Sequence, residues 1–361
     1  GDGTNTILGG MGSDTIAAGN GVNTILGDSG VITYSAANKL ASITSTAIGL
    51  GGIDKIALGD GTNTIIGGFG TDEITAGQTA TSVNVVIGDN GEILYDAGVL
   101  QSASTTDTIA TTGDEDTILL GNGTNLVLGG MGVDTIKVGN GTNTILGDNG
   151  AVTYDTTDTT AWIKDVTSTE TTLGGDDSIT AGDGMNLILG GVARDTITSG
   201  SGINIILGES GDVTYAAADT LQSVITAAND LGGNDTITAG LSAESNNVII
   251  GDSGEILYDA QGSVKSAATT DTITATGGND TITLGDGNNI VLGGMGSDNI
   301  TTGDGINHVI GDNGALTYDT TGTSYLASAT STLTTLGGND TVTAGDGTNV
   351  ILGGMGSDSI T

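Results

Sequence analysis

From Asp116 to Leu146 the chain reads DTILLGNGTNLVLGGMGVDTIKVGNGTNTIL, and the spacing of its acids and amides decides the fold. Asp116, Asn125, Asp134 and Asn143 recur every nine residues, Asp and Asn in strict alternation. Two residues after each stands a β-branched side chain: Ile118, Val127, Ile136 and Ile145. Glycines fill the turn before each. Apolar residues at this period, with glycine clusters between them, give no 3.6-residue stripe and exclude a helix; a glycine-rich turn leading into a very short strand fits instead. The pattern predicts an all-β parallel β-roll, or β-solenoid, with two short strands per 18-residue coil. It places an Asp row on one side and an Asn row on the other.

The same spacing runs through Asn5, Asp14 and Asn23 and through Asp177, Asn186, Asp195 and Asn204. A longer period is superimposed. Tetrads of the type Gly27-Asp28-Ser29-Gly30 begin again at Gly88, Gly147, Gly208, Gly251 and Gly311, at intervals of 61, 59, 61, 43 and 60 residues. The short interval lacks about one coil, a loss that a solenoid tolerates and a globular core does not. After each tetrad come an aliphatic residue and, two later, a tyrosine: Tyr34, Tyr95, Tyr154, Tyr215, Tyr258 and Tyr318. A Thr/Ser/Ala-rich stretch then leads back, with Asp107 and Asp271 regaining the register nine residues before Asp116 and Asp280. These irregular excursions, about every 60 residues, read as a third coil in each long unit, with the tyrosines at inward parity widening the cross-section. Residues 1–361 form one continuous repeat array, in approximate units 1–50, 51–112, 113–173, 174–231, 232–276, 277–336 and 337–361. The chain opens on Gly1 and stops in mid-pattern, and so reads as an excerpt of a longer protein.

Composition narrows the function. The chain has 66 glycines, no proline, no cysteine and 2% aromatic residues, which excludes a disulfide scaffold, a thiol enzyme and a zinc ribbon. Forty-three acids against 6 bases give a net charge of −37, which opposes nucleic acid and anionic membrane surfaces. No apolar run is long enough to span a bilayer. Stacked turns bring aspartates of successive coils about 4.8 Å apart, and a ladder of like charges at that spacing repels itself. A divalent cation relieves it; calcium takes six to eight oxygen ligands in flexible geometry.

The segments Gly9-Gly10-Met11-Gly12-Ser13-Asp14-Thr15-Ile16, Gly293 to Ile300 and Gly353 to Ile360 match Gly-Gly-x-Gly-x-Asp-x-aliphatic-x. The chain thereby resembles the RTX (repeats-in-toxin, hemolysin-type) calcium-binding β-roll repeat family, over nearly its whole length apart from the excursions. The resemblance implies multiple calcium ions held between coils by motif aspartates and turn carbonyls. Carried over, it points to Asp14, Asp72, Asp134, Asp298 and Asp358, and in close variants to Asp116, Asp177, Asp235, Asp280 and Asp340. On the Asn row it points to Asn5, Asn23, Asn63, Asn125, Asn143, Asn186, Asn204, Asn289, Asn307 and Asn349. A carboxylate often stands three residues earlier there, as in Asp2, Asp60, Asp183, Asp286, Asp304 and Asp346. A neutral amide oxygen can ligate calcium, and stacked amides can also hydrogen-bond to one another without metal. Asp195 follows Val192-Ala193-Arg194, which lacks the turn glycine, and is set apart for that reason.

The residue after each inward β-branched one points outward. On the Asp row it is mostly Thr or Ala; on the Asn row it is always large, as in Leu8, Leu26, Ile66, Ile87, Leu128 and Leu146. Such an apolar stripe needs a cover, either the excursions or another chain, so self-association or a neighbouring protein along it is expected. His308, the sole histidine, falls at outward parity, where a surface role is expected. No nucleophile elbow, zinc cluster or phosphate loop occurs. The chain therefore reads as a non-enzymatic, calcium-stabilised structural segment of a secreted bacterial surface or matrix protein: a fibre, surface layer, adhesin shaft or biofilm component. It is expected to be extracellular, exported by type I secretion as RTX-like proteins typically are. The alternatives are a calcium-binding folding and secretion module of an exoenzyme, and an ice-binding solenoid; the varied residues before each Asn weigh against the latter.

Overall fold

The computed structural model describes residues 1–108, 113–157, 161–218, 220–227, 232–242, 245–270, 277–321, 325–332 and 337–361. Two units, Gly1–Asp183 and Gly184–Thr361, follow one another along the chain. Among the described residues, each unit is built of three sheets of six strands.

In the first unit one parallel sheet is built from the Asn strands, such as Gly21–Leu26, Gly61–Ile66 and Gly123–Leu128. Its register stacks like on like: Asn5, Asn23, Asn63, Asn84, Asn125 and Asn143 are successive partners. A second parallel sheet is built from the Asp strands, such as Lys55–Leu58, Glu73–Ala76 and Thr117–Leu120. Ile16, Ile56, Ile74, Ile118, Ile136 and Ile179 form its column. Strand alternation turns this column and that of Ile25, Ile65, Val86, Val127 and Ile145 into the roll, where all are buried. The second unit repeats the plan through Asn186, Asn204, Asn247, Asn289, Asn307 and Asn349. Glycine at the strand entry is dictated by this stacking: Gly21 sits at φ 131°, and a Cβ there would collide with the carbonyl of Gly3 in the preceding coil.

The excursions correct the expectation of a third coil. Each folds back as an antiparallel hairpin, Gly91–Asp96 with Val99–Thr105 and Gly150–Asp155 with Trp162–Ser168 being typical. Neighbouring hairpins join into the third sheet. Long units therefore hold two coils and one hairpin. Successive ladder aspartates lie 18 residues apart within such a pair, as Asp54 and Asp72, and 40 to 45 apart across a hairpin. In the short interval the ladder runs from Asp195 to Asp235 to Asp280, so among the described residues only Asp235 lies between two hairpins and one coil is missing there. Asp107 lies at a hairpin base, accepting the Asn90 amide at 3.1 Å; Asp271 is outside the described residues.

The hairpin sheet lies on the outer face of the Asn sheet. The last glycine of each tetrad presses on the aliphatic stripe, Gly30 on Leu26, Gly91 on Ile87, Gly150 on Leu146 and Gly211 on Leu207. A row of hairpin side chains, including Ile93, Val152, Val166, Val213, Val224 and Ile256, is fully buried. The stripe is buried too: Leu26, Ile66, Ile87 and Leu128 are at 0% exposure. Covering each such side chain contributes about 1.5–3 kcal/mol. Of the two expected covers, the excursions are the one that lies over the stripe.

The tyrosines belong to this second layer and not to a widened roll. In each hairpin the register shifts just before the tyrosine, as at Thr33/Tyr34 and Leu94/Tyr95. Such a bulge re-aims a side chain. The Tyr95 hydroxyl meets Thr64 at 2.9 Å, Tyr34 pairs with Thr6, and Tyr318 lies 2.9 Å from His308 Nδ1. His308 is therefore half-buried between two sheets, where burial lowers its pKa, rather than free on the surface.

Candidate metal centre

At the end of each Asp-row turn the aspartate side chain folds back against the preceding coil. The Asp54 amide donates to Asp72 Oδ1 at 2.7 Å, and Asp72, Asp116 and Asp134 continue to Asp116, Asp134 and Asp177 in the same way. Asp14 opens this ladder by donating to Asp54. In the second unit it runs through Asp195, Asp235, Asp280, Asp298, Asp340 and Asp358. All ten sequence-derived Asp-row positions lie on these two ladders. So do two others: Asp54, whose turn is shortened to Gly51-Gly52-Ile53, and Asp195. Asp195 is fully buried, and Ala193 takes φ 77° in place of the missing glycine.

Only one oxygen of each carboxylate is spent on this ladder. Oδ2 of Asp54, Asp72, Asp116, Asp134, Asp280 and Asp340 is buried without a hydrogen-bond partner. It lies over a glycine Cα: a Cβ on Gly88 would strike both Asp116 Oδ2 and the Gly129 carbonyl, and one on Gly311 both Asp340 Oδ2 and the Gly353 carbonyl. Carboxylate and carbonyl oxygens thus converge where no side chain fits. Burial, the dominant cause, raises the carboxyl pKa of Asp72 and Asp134 to about 8 and of Asp340 to about 6, and lifts Asp116 and Asp280 well above the usual range, with neighbouring aspartates adding to most. Buried anions with one unmet oxygen each, oxygen-only donors and carbonyls at hand suit a hard divalent cation. The residues fit calcium.

The Asn row is differently committed. Each side-chain amide donates to the next Asn Oδ1 at 2.7–2.8 Å, from Asn5 to Asn143 and from Asn186 to Asn349. The second hydrogen goes to a turn carbonyl four residues back, as from Asn125 to Gly121. The metal reading of these positions is not carried by this geometry. The accompanying acids are exposed or half-buried turn acceptors: Asp60 Oδ1 takes the Gln78 and Thr79 amides, Asp286 the Asp304 amide and Asp304 the Asp346 amide. Asp2 takes the Asn20 amide, and the Asp183 amide donates to Asn140.

Sequence reading missed the acids of the tetrads, treating them as punctuation. Asp28, Asp89, Asp148, Glu209, Asp252 and Asp312 are all buried. Each accepts an amide from a glycine-rich turn on a later coil: Phe69 to Asp28, Met131 to Asp89, Gly175 to Asp148, Gly233 to Glu209, Gly278 to Asp252 and Gly338 to Asp312. The signal was an acid at the second position of all six tetrads.

A parallel roll whose turns aim carboxylate and carbonyl oxygens into shared, water-poor spaces is the fold of a calcium-binding β-roll. The RTX calcium-binding nonapeptide repeat matches residues 1–31, 46–79, 103–136, 171–206, 189–212, 267–300 and 329–360, more than half of the chain, and the chain belongs to that family. No curated protein and no solved structure matches it.

Proposed function

We propose that this chain is a non-catalytic structural segment of a secreted surface or matrix protein, a fibre, surface layer or adhesin shaft, which folds outside the cell when calcium fills the Asp ladder. The carrying observation is the run of buried Oδ2 atoms without hydrogen-bond partners, from Asp54 to Asp134 and again at Asp280 and Asp340. Calcium replaces the repulsion of stacked carboxylates with shared coordination, so the energy of binding becomes energy of folding. In cytosolic calcium the acidic chain stays open, which suits type I export. Circular dichroism during a calcium titration tests this, with electron microscopy of the same sample. A cooperative gain of β signal and ordered particles are expected; full β signal after exhaustive chelation refutes the reading.

One observation favours ice binding as a second reading. On the outer face of the Asp sheet in the second unit, Thr196, Thr236 and Thr281 stand in register, beside Thr198, Thr238, Thr283, Thr301 and Thr343. They are exposed or half-exposed. The regular threonine plane absent from the Asn row is here. Thermal hysteresis of the calcium-loaded protein decides: none is expected of a purely structural segment.

A further inference from the structure

Resting on the calcium reading above, we propose that the tetrad acid is a ligand outside the nonapeptide motif, completing a three-carboxylate calcium site that fastens each hairpin base to two coils of the roll, at Asp312 with Asp340 and Asp358 and at Asp252 with Asp280 and Asp298. In both groups one ligand oxygen from each residue lies within 4.8 Å of the other two. Asp312 and Asp340 are at 0% and 1% exposure, and Asp252, Asp280 and Asp298 at no more than 2%. In each group one member keeps an oxygen that is buried without a hydrogen-bond partner, Oδ2 of Asp340 and Oδ2 of Asp280. The described ion pairs, Lys55–Glu73 and Lys164–Asp165, lie elsewhere, so no lysine or arginine among the described residues neutralises Asp312, Asp340 or Asp358. Three carboxylates gathered this closely in a water-poor space demand a cation, and a divalent ion answers most of their charge.

The tetrad acid is already oriented for the task. Asp312 Oδ1 accepts the Gly338 amide at 2.8 Å and Asp252 Oδ1 the Gly278 amide at 2.8 Å, which fixes each carboxylate against a turn of a later coil. Asp312 also stands where the chain leaves the Asn strand Gly305–Ile310 for the hairpin strand Gly314–Asp319, and the returning strand closes on its neighbour through the Thr332 amide and the Asn313 carbonyl. An ion here ties three segments distant in sequence: the hairpin base and two ladder coils. The motif aspartates alone tie coil to coil.

The test counts bound calcium per full-length chain by equilibrium dialysis in wild type, D252N/D312N and the exposed-turn control D286N. The double variant is expected to lose two ions and the control none; D312E, the exchange the chain itself carries at Glu209, is expected to keep the wild-type count. A folded double variant with the wild-type count overturns the proposal while leaving the ladder reading intact. A wild type that binds no calcium removes the ladder reading itself. Hydrogen exchange on the wild type needs no variant: the Gly338 amide and the hairpin Gly314–Ser331 are expected to become protected at the same calcium concentration as the Asp340–Asp358 coil. Hairpin protection that is complete in chelator while the coils still await calcium overturns the proposal.

Discussion

Asp134 and Asn125 occupy equivalent places in their turns and are built for opposite conditions. Asp134 spends Oδ1 on the Asp116 amide and holds Oδ2 in reserve. Replacing it by Asn keeps the acceptor and removes the buried charge. D134N is therefore expected to raise residual β content in chelator, yet to shift the calcium midpoint of folding upward by about tenfold, about 1.4 kcal/mol. A titration followed by circular dichroism reads both signs. Asn125 spends everything: two hydrogens on Asn143 and Gly121, and its oxygen on Asn84. N125D leaves two acceptors facing a carboxylate and is expected to cost about 1–3 kcal/mol, whatever the calcium concentration. Urea unfolding at two calcium concentrations checks this; a tightening of calcium binding in N125D would restore the metal reading of the Asn row.

At the scale of the element, the hairpin decides what the apolar stripe does. Leu128 is fully buried on the face that the hairpin sheet covers. L128S removes that packing and buries a hydroxyl, and the measured cost of large-to-small core changes sets the expectation at about 2–5 kcal/mol. Faster hydrogen exchange in the neighbouring hairpin Gly91–Thr105, with no change in bound calcium, is the expected signature. Alternation along Gly123–Leu128 told which side chains point outward, because that follows from strand geometry alone. It was silent on the cover. The sequences after the tyrosines are rich in Thr, Ser and Ala, which suit a coil, a strand or a loop, and only pairings such as Ile93 with Ala103 and Ala103 with Val152 select the antiparallel sheet. The same choice moved Tyr95 and His308 from where parity placed them, since inward and outward take their meaning from the layer that lies opposite.

For the whole molecule the governing quantity is the number of buried carboxylates. Burial raises Asp28 and Asp312 to about 7, Asp72 and Asp134 to about 8 and Asp340 to about 6, against an ordinary value of 3.8. A carboxyl whose folded value lies above its unfolded one favours folding while protonated, and that support fades as pH climbs from the unfolded value through the folded one. Calcium-free protein is accordingly expected to gain β structure as pH falls from about 8 to about 4. Calcium needs the ionised form, so its midpoint should move to lower calcium concentration as pH rises across the same window. Circular dichroism at fixed ionic strength, with and without chelator, checks both. Stability that rises with pH in chelator would show that the acids are not buried in the free protein.

The nine-residue period by itself determined the coil, the two rows and the inward columns, because a repeat that stacks on itself leaves each turn one place to go. The acid in each tetrad was equally visible in the sequence, but nothing local marks a ligand that meets its partners 28 and 46 residues further on, as Asp312 meets Asp340 and Asp358. Only the tertiary structure decided that those carboxylates converge, that the amides pair with one another, and that the excursions fold over the stripe. Each of these depends on which segment lies opposite, and opposition across coils and sheets is a property of the assembled stack.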